Sequence, residues 1–192
     1  MNNFTFHNPT KLVFGRDSIL ELPKLLPSGA KILLTFGGGS VKRNGVYEAV
    51  TAQLQGFQTV EFWGIEPNPK VETLRKAIAL GKQERVTFVL AVGGGSVLDA
   101  SKLIVNAIPS ERDAWDLVLR GADRSVQTLP LGTVLTIPAT GSEMNRGAVI
   151  SCEATHEKFG FYNEYPRFSI LDPTYTFSLP DYQIACGIAD SF

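Results

Sequence analysis

Two glycine clusters are the residues of this sequence whose types and spacing could do chemistry. The GGGS segments at 37–40 and 93–96 each follow an apolar run and each precede a stretch with helical spacing. Glycine lets a backbone turn tightly and approach an anion without a Cβ clash. The free N–H groups and the positive dipole end of the next helix then face that anion, and the serine can add a hydroxyl donor. Two such loops, each at the carboxyl end of a predicted parallel strand, predict a nucleotide site.

A simpler interpretation of either loop alone is a tight connection between a strand and a helix. Neither loop matches the G-x-G-x-x-G pattern of dinucleotide-binding folds. The Walker pattern requires GK[ST] at the start of the helix, whereas this chain continues Val97-Leu98-Asp99 after the second loop. A P-loop kinase or ATPase is therefore not expected.

Asp99 and Lys102, in the first turns of the helix after the second loop, each allow two interpretations. The Asp99 carboxylate could accept hydrogen bonds from a ribose or nicotinamide group, or it could simply be an acid near a helix N-terminus, worth a few tenths of a kcal/mol up to about 1. Lys102 is ambiguous in the same way, because a lysine on a helix surface is usually only solvated. Spacing alone does not decide between these interpretations.

The elements that must position the loops form a regular series of strands and helices. Apolar, β-rich runs predict strands at 31–36, 59–63, 86–92 and 133–137. Helical spacing predicts helices at 41–54, 71–81 and 97–107. Apolar strands without alternation, separated by amphipathic helices, are typical of a parallel sheet covered on both faces. The sequence therefore predicts an α/β fold with a Rossmann-like parallel sheet and flanking helices.

Both ends of the chain depart from this pattern. Segments 3–6 and 11–14 predict an N-terminal β-hairpin with its turn at Asn8-Pro9, followed by a short helix at 18–26. Further short strands are predicted at 149–151, 159–162 and 168–171. Ser178-Leu-Pro-Asp181 carries an S-x-x-D cap with a proline in the first turn, which predicts the start of a helix. We expect a dinucleotide-binding domain over 1–180 and, over 181–192, the start of a second domain that is truncated.

Composition excludes several classes of protein. The 192 residues are 44% hydrophobic, and 18 Lys+Arg against 19 Asp+Glu give a net charge of −1. Such a chain is neither disordered nor a basic nucleic-acid binder, and it lacks the run of about 18 apolar residues that a membrane span requires. Two cysteines are too few for a disulfide scaffold, and no secretory signal is visible. We expect a cytoplasmic protein with neither nucleic-acid nor membrane partners.

Taken together, these residues resemble the iron-dependent (type III) alcohol dehydrogenase family, near its branch of NADPH-dependent aldehyde reductases and butanol dehydrogenases. The segments that carry the resemblance run in order along the chain: Asn8-Pro-Thr10, Phe14-Gly15, Gly37–Lys42, Glu66-Pro-Asn-Pro69, Gly93–Asp99 with Lys102, Ile137–Glu143, Ile170–Thr174 and Gly187-Ile-Ala-Asp190. The resemblance implies a dehydroquinate synthase-like N-terminal domain, followed by a helical C-terminal domain that is missing from this sequence.

The resemblance also implies which positions surround the cofactor. Gly38, Gly39 and Ser40 would lie near the adenosine ribose, Asn68 along the cofactor, and Gly94, Gly95, Ser96 and Asp99 near the pyrophosphate and nicotinamide. The remaining matched positions are Thr136, Thr140, Asn145, Lys158 and Leu179.

NADP(H) is the cofactor that the first loop favours. NAD-preferring relatives look to place an acid there, which can bond the ribose 2′-hydroxyl and would repel a 2′-phosphate. This chain has Gly39 at that position, with Lys42 and Arg43 nearby. With no carboxylate opposing the phosphate and two cations near it, we expect NADPH to bind more tightly than NADH.

A single ligand of the family's metal is expected in this sequence. Asp190 matches the first ligand, and the resemblance implies a histidine four residues later, on the same helix face, with two more histidines downstream. The sequence contains only His7 and His156, both expected at the surface. The complete enzyme would use a divalent metal, iron or zinc, as a Lewis acid on the alcohol or aldehyde oxygen. We therefore expect the 192-residue chain alone to be inactive.

The leading hypothesis is the cofactor domain of an oxidoreductase that transfers hydride between NADP(H) and an alcohol or aldehyde. The alternatives are a non-catalytic nucleotide-binding module and a relative of glycerol dehydrogenase. Gly39, Asp99 and the segment Thr140-Gly-Ser-Glu143 favour the leading hypothesis over the glycerol dehydrogenase relative. An edge formed by the N-terminal strands could pair across a homodimer.

Overall fold

A six-stranded parallel sheet forms the centre of the fold in the computed structural model, which describes residues 3–5 and 7–190, the last of these by its backbone only. The strands are β1 (Lys11–Phe14), β2 (Lys31–Phe36), β3 (Gln58–Phe62), β4 (Phe88–Gly94), β5 (Leu131–Ile137), β6 (Gly147–Cys152), β7 (Glu157–Tyr162) and β8 (Phe168–Leu171). The sheet has the order β1-β8-β5-β4-β2-β3, and every neighbouring pair is parallel. Strands β6 and β7 form a separate antiparallel hairpin. The α/β fold predicted from the sequence is confirmed.

Helices connect the strands and cover the sheet. The α-helices are α1 (Leu22–Leu25), α2 (Ser40–Arg43), α3 (Val46–Gln53), α4 (Val71–Gln83), α5 (Gly95–Ala107), α6 (Ala114–Arg120) and α7 (Asp181–Asp190). Short 3-10 helices occupy Ser18–Glu21, Ser142–Met144 and Pro173–Thr176. Among the residues that the structure describes, no helix has both the length and the apolar character that a bilayer span requires.

Each face of the sheet carries a hydrophobic core. Successive side chains of β2 point to opposite faces, so Leu33 packs with α4 and α5, whereas Ile32 and Leu34 pack with α3. Full burial of such a side chain stabilises the fold by about 1.5–3 kcal/mol. Burial on both faces explains why the strands are apolar without alternation.

The N-terminal β-hairpin predicted from the sequence is wrong. Residues 3–5 contain no strand, residue 6 lies outside the described residues, and β1 pairs in parallel with β8. The β8 side chains of Phe168 and Ile170 are buried, so β1 extends a sheet that is already packed. An isolated two-stranded hairpin is at best marginally stable in water, which is the physical reason for the difference.

Other segments differ from prediction in detail. The helix predicted over 41–54 is two helices, α2 and α3, because Gly45 between them adopts a left-handed conformation with φ of +78°. Helix α6 was not predicted, although its N-cap Asp113 accepts a hydrogen bond from the Trp115 N–H at 2.8 Å. Helix α7 begins at Asp181, where the cap pattern predicted a helix. The boundary between a domain over 1–180 and a second domain stays a prediction.

Candidate functional site

The candidate site lies at the edge where the parallel strands have their carboxyl ends. The first glycine loop follows β2, the second follows β4, and the segment 138–147 follows β5. Strands β2, β4 and β5 are neighbours in the sheet, so the three connections lie side by side. In open α/β sheets, ligands bind outside the carboxyl ends of the strands.

The first loop leaves space for a ligand. Gly39 has φ of +94°, a left-handed conformation that other residues rarely adopt. A Cβ atom at Gly38 would meet nothing within 4 Å among the described residues. Packing therefore gives no reason for a glycine at position 38, whereas close approach of a ligand would.

The second loop is tightly packed against its surroundings. A Cβ atom at Gly93 would lie 2.7 Å from Val97 Cγ2, and one at Gly95 would lie 2.7 Å from Thr140 Oγ1. A Cβ atom at Gly94 would collide with Ile137 Cγ2. The interpretation as a tight strand-to-helix connection therefore explains these three glycines without a ligand, and the first loop gives the stronger indication of a binding site.

Lys42, which follows the first loop on α2, lies among aromatic rings. Its Nζ atom is 4.2 Å from the centroid of the Trp63 ring and 5.1 Å from that of Tyr47. Glu61 accepts hydrogen bonds from Trp63 Nε1 and Tyr47 Oη, both at 2.8 Å, and this contact raises the pKa of Tyr47. The Trp63 ring also stacks on Phe36 at 4.1 Å. Glu61 and Phe36 thus hold the aromatic rings in place, and the rings hold the Lys42 cation beside the first loop.

Asp99 faces the segment after β5 rather than bulk solvent. Its Oδ1 atom accepts a hydrogen bond from Ser142 Oγ at 2.6 Å, and its Oδ2 atom accepts one from the Val149 N–H at 2.9 Å. Asp99, Thr140 and Asn145 all line one cavity of about 370 Å³. Three of the predicted cofactor positions are therefore brought together.

Lys102 is not a solvated surface lysine, so that interpretation is wrong. Its side chain is fully buried, and its Nζ atom donates to Ser142 Oγ at 2.7 Å, Asn145 Oδ1 at 2.9 Å and the Gly147 carbonyl at 2.6 Å. Burial lowers the pKa of Lys102 to about 8, while Asp99 and Glu143 act in the opposite direction. Lys102 thus contacts three residues that line this cavity, Ser142 among them. Neither Lys102 nor Ser142 is among the cofactor positions that the resemblance implies, although both lie in segments that carry it.

Two other predicted positions meet at the surface. Lys158 Nζ, on β7, donates to Asn68 Oδ1 at 2.7 Å, and both side chains are exposed. Asn68 has φ of +54°, in the left-handed region that asparagine tolerates better than most residues.

The remaining predicted positions are spread along the same edge. Ser40 begins α2, and Ser96 lies in the first turn of α5. Thr136 lies near the end of β5 and is buried. Leu179 lines a different, mainly apolar cavity of about 470 Å³, together with Ile137 and side chains of α7. The structure therefore does not bring Leu179 into the cavity lined by Asp99.

The metal position is represented by backbone alone. Helix α7 ends at Asp190, whose side chain lies outside the described part of the chain. Within residues 3–5 and 7–189, no group of three or more His, Cys, Asp or Glu side chains could hold an ion. The described residues therefore do not form a site that fits a metal.

A parallel sheet with glycine turns and helix N-termini at one edge defines the class of nucleotide-binding α/β domains. The family model described as iron-containing alcohol dehydrogenase matches residues 9–173. The NADPH-dependent aldehyde reductase YqhD of Escherichia coli (strain K12) is 47% identical over 196 aligned residues, which cover 100% of this chain and 51% of that protein. This chain therefore belongs to the iron-containing alcohol dehydrogenase family.

Other relatives agree in fold and differ in the cofactor that they are named for. A probable NADH-dependent butanol dehydrogenase 1 of Bacillus subtilis (strain 168) is 47% identical, over 99% of this chain and 50% of its own length. The crystal structure of an NADH-dependent butanol dehydrogenase A from Thermotoga maritima is 43% identical, with a TM-score of 0.92 over 100% of this chain and 49% of that one. The chain spans about half the length of the relatives it matches.

Proposed function

We propose that the full-length protein is an oxidoreductase that transfers a hydride between NADP(H) and an alcohol or aldehyde, with iron or zinc as its divalent metal. The observation that carries this proposal is the open space at Gly38 and Gly39, in a loop that ends a parallel strand of an iron-containing alcohol dehydrogenase fold. When bound, a nicotinamide cofactor supplies or accepts the hydride, and the protein supplies binding and orientation.

The chain's own residues suit the parts of such a cofactor. The backbone at Gly38 and Gly39 can approach the adenosine ribose, since no Cβ atom intervenes. The first turn of α5 presents the N–H groups and positive dipole end that a pyrophosphate requires. Asp99 can accept a hydrogen bond from a ribose or nicotinamide group, because a carboxylate has about four acceptor positions and two are occupied by Ser142 and Val149.

The preference for NADPH over NADH is the finer part of this proposal. Gly39 places no carboxylate where a 2′-phosphate would lie, and Lys42 is held beside the loop by Trp63 and Tyr47. Arg43 is exposed on the same short helix. A phosphate contact with one fixed cation would favour NADPH by electrostatic attraction that NADH cannot make.

The function is tested with the purified full-length protein, loaded separately with iron or zinc. We expect oxidation of NADPH at 340 nm in the presence of short aldehydes, and loss of that activity with a chelator. Tight NADPH binding without turnover under both metals would instead support a non-catalytic nucleotide-binding module. Absence of NADPH binding would refute the proposal.

A cytoplasmic location and a homodimer are further parts of the same hypothesis. The edge strand β1 supports the dimer, because its Phe14 side chain is 69% exposed and its outer backbone edge pairs with no other strand among the described residues. Light scattering on the full-length protein and on a Phe14→Lys variant tests it. We expect a dimer that the substitution weakens, and a monomeric wild-type protein would refute this part.

A further inference from the structure

Lys102 is a charged side chain with no solvent-accessible surface, on the helix that follows the second glycine loop. Its three bonds go to Ser142, Asn145 and Gly147, all in the segment after β5. An ammonium group has three donors, so the bonding capacity of Lys102 is fully used. A single side chain of α5 thus holds three residues of one loop.

The stability of the fold does not explain why a lysine occupies this buried position. Taking an ammonium group out of water is costly, and hydrophobic residues of similar volume often stabilise a fold equally well or better. The acceptors that contact Nζ are a hydroxyl, an amide oxygen and a backbone carbonyl, so no carboxylate touches the charge directly. Asp99 is reached only through Ser142 Oγ, which donates to it at 2.6 Å.

The bonds of Lys102 fix the orientation of groups that line the cavity of about 370 Å³. Asn145 Oδ1 accepts from both Lys102 Nζ and the Gly147 N–H, and Asn145 Nδ2 donates to the Gly141 carbonyl at 2.9 Å. Since Ser142 Oγ accepts from Lys102, its hydrogen is directed to Asp99. The lysine therefore determines how the Asn145 amide and the Asp99 carboxylate are presented.

We propose that Lys102 is a positioning residue for the cofactor site, which clamps the 140–147 segment onto α5 and orients Asp99 and Asn145 toward the cavity. This inference rests on the proposed function, since the cavity is taken as part of the cofactor site. The clamp itself is a property of this chain and can be measured without a cofactor.

The experiment compares Lys102→Met with Lys82→Met in the full-length protein. Lys82 is a matched control, because its Nζ atom also donates to a backbone carbonyl, that of Ser110 at 2.6 Å, away from the segment after β5. Ser142→Ala is a second variant, which cuts the link to Asp99 and keeps the lysine. Amide hydrogen exchange of residues 141–149 reports the clamp, and fluorescence titration with NADPH reports the site.

We expect Lys102→Met to speed exchange at the Gly147 and Val149 amides by about tenfold or more, and to raise the Kd and KM for NADPH by about the same factor. Lys82→Met should leave the exchange rates of these amides, the Kd and the KM within about twofold of the wild-type values, even where it lowers stability. A purely structural role would reduce the folded fraction, and hence the apparent kcat, without moving KM.

Two results would overturn the inference. One is unchanged exchange at 141–149 in Lys102→Met or, if that variant does not fold, an unchanged Kd for NADPH in Ser142→Ala, which cuts the link to Asp99. The other is faster exchange with an NADPH Kd equal to that of the wild-type protein. If the wild-type protein binds no NADPH, the proposed function fails and the assigned role of Lys102 fails with it, whereas faster exchange in Lys102→Met would show that the clamp is still present.

Discussion

Lys102 and Ser142 meet through a 2.7 Å hydrogen bond, in which a buried ammonium group on α5 donates to a hydroxyl in the loop after β5. The Ser142 hydroxyl in turn donates a hydrogen bond to the Asp99 carboxylate at 2.6 Å. Helix α5, which follows the second glycine loop, and the segment after β5 are thereby connected by side chains.

The first prediction concerns the dependence of stability on pH. Burial lowers the pKa of Lys102 to about 8 from an ordinary value of 10.5, against the opposing effect of Asp99 and Glu143. Between these values the unfolded chain binds more protons than the folded one, so the free energy of unfolding rises with pH through this window. The gain is at most about 3 kcal/mol.

The measurement is urea unfolding at pH 7.5 and pH 10, for the wild-type protein and for Lys102→Met. From pH 7.5 to pH 10, the free energy of unfolding should rise more, or fall less, in the wild-type protein than in Lys102→Met. The reason is that the variant lacks the titrating ammonium group. Since the other titrating residues are common to both proteins, their effects cancel in the comparison. An identical pH dependence in both proteins would contradict the lowered pKa of Lys102.

The second prediction separates two glycines that have different surroundings. Gly38→Ala should leave the free energy of unfolding within about 0.5 kcal/mol of wild type, because its Cβ meets no described atom. It should nevertheless raise the Kd for NADPH, since the methyl group lies where the ribose is proposed to approach. Gly132→Ala should destabilise the fold by about 1–3 kcal/mol, because its Cβ would collide with the Phe168 ring.

Thermal unfolding and NADPH titration of the two variants check this contrast. Loss of stability in Gly38→Ala would mean that packing, rather than a ligand, requires the glycine. Unchanged NADPH affinity in Gly38→Ala would remove the first loop from the cofactor site.

The third prediction concerns Lys42. Lys42→Met should weaken NADPH binding by about fivefold or more and leave NADH binding within about twofold, because a 2′-phosphate contact is made only with NADPH. Trp63→Leu should reduce the same preference by a smaller factor, since it removes the ring 4.2 Å from the Lys42 ammonium and keeps the charge.

Lys24→Met is the control for this change in charge. Lys24 lies on α1, before β2, and pairs with Glu21 at 2.8 Å in an exposed position. The Kd values for both cofactors should stay unchanged in this variant. Equal losses for NADPH and NADH in Lys42→Met would show that Lys42 does not read the 2′-phosphate.

Much of the fold could be predicted because its signals are local. Strands β2, β4 and β5 are buried on both faces, so their sequences are apolar throughout, and the glycine loops mark where they end. The partner of β1 could not be predicted in this way. Its pairing with β8 joins residues more than 150 positions apart, such as Lys11 and Phe168, and no local pattern encodes it.

The burial of Lys102 shows why its role could not be decided from the sequence. Helix α5 is covered by the sheet on one side and by α6 and β6 on the other, so residues around its whole circumference are buried. The sequence indicates one apolar face of this helix but not the second cover, so it leaves open whether Lys102 is solvated or buried. Asn145 was found only through the family resemblance, since it lies 46 residues after Asp99 and follows no short motif.

The relative affinity of the full-length protein for NADPH and NADH tests the central claim most directly. Titration of the two reduced cofactors, followed by their fluorescence, gives both dissociation constants. We predict a Kd for NADPH lower than that for NADH by about tenfold or more, which corresponds to about 1.4 kcal/mol. Equal dissociation constants, or tighter binding of NADH, would contradict it.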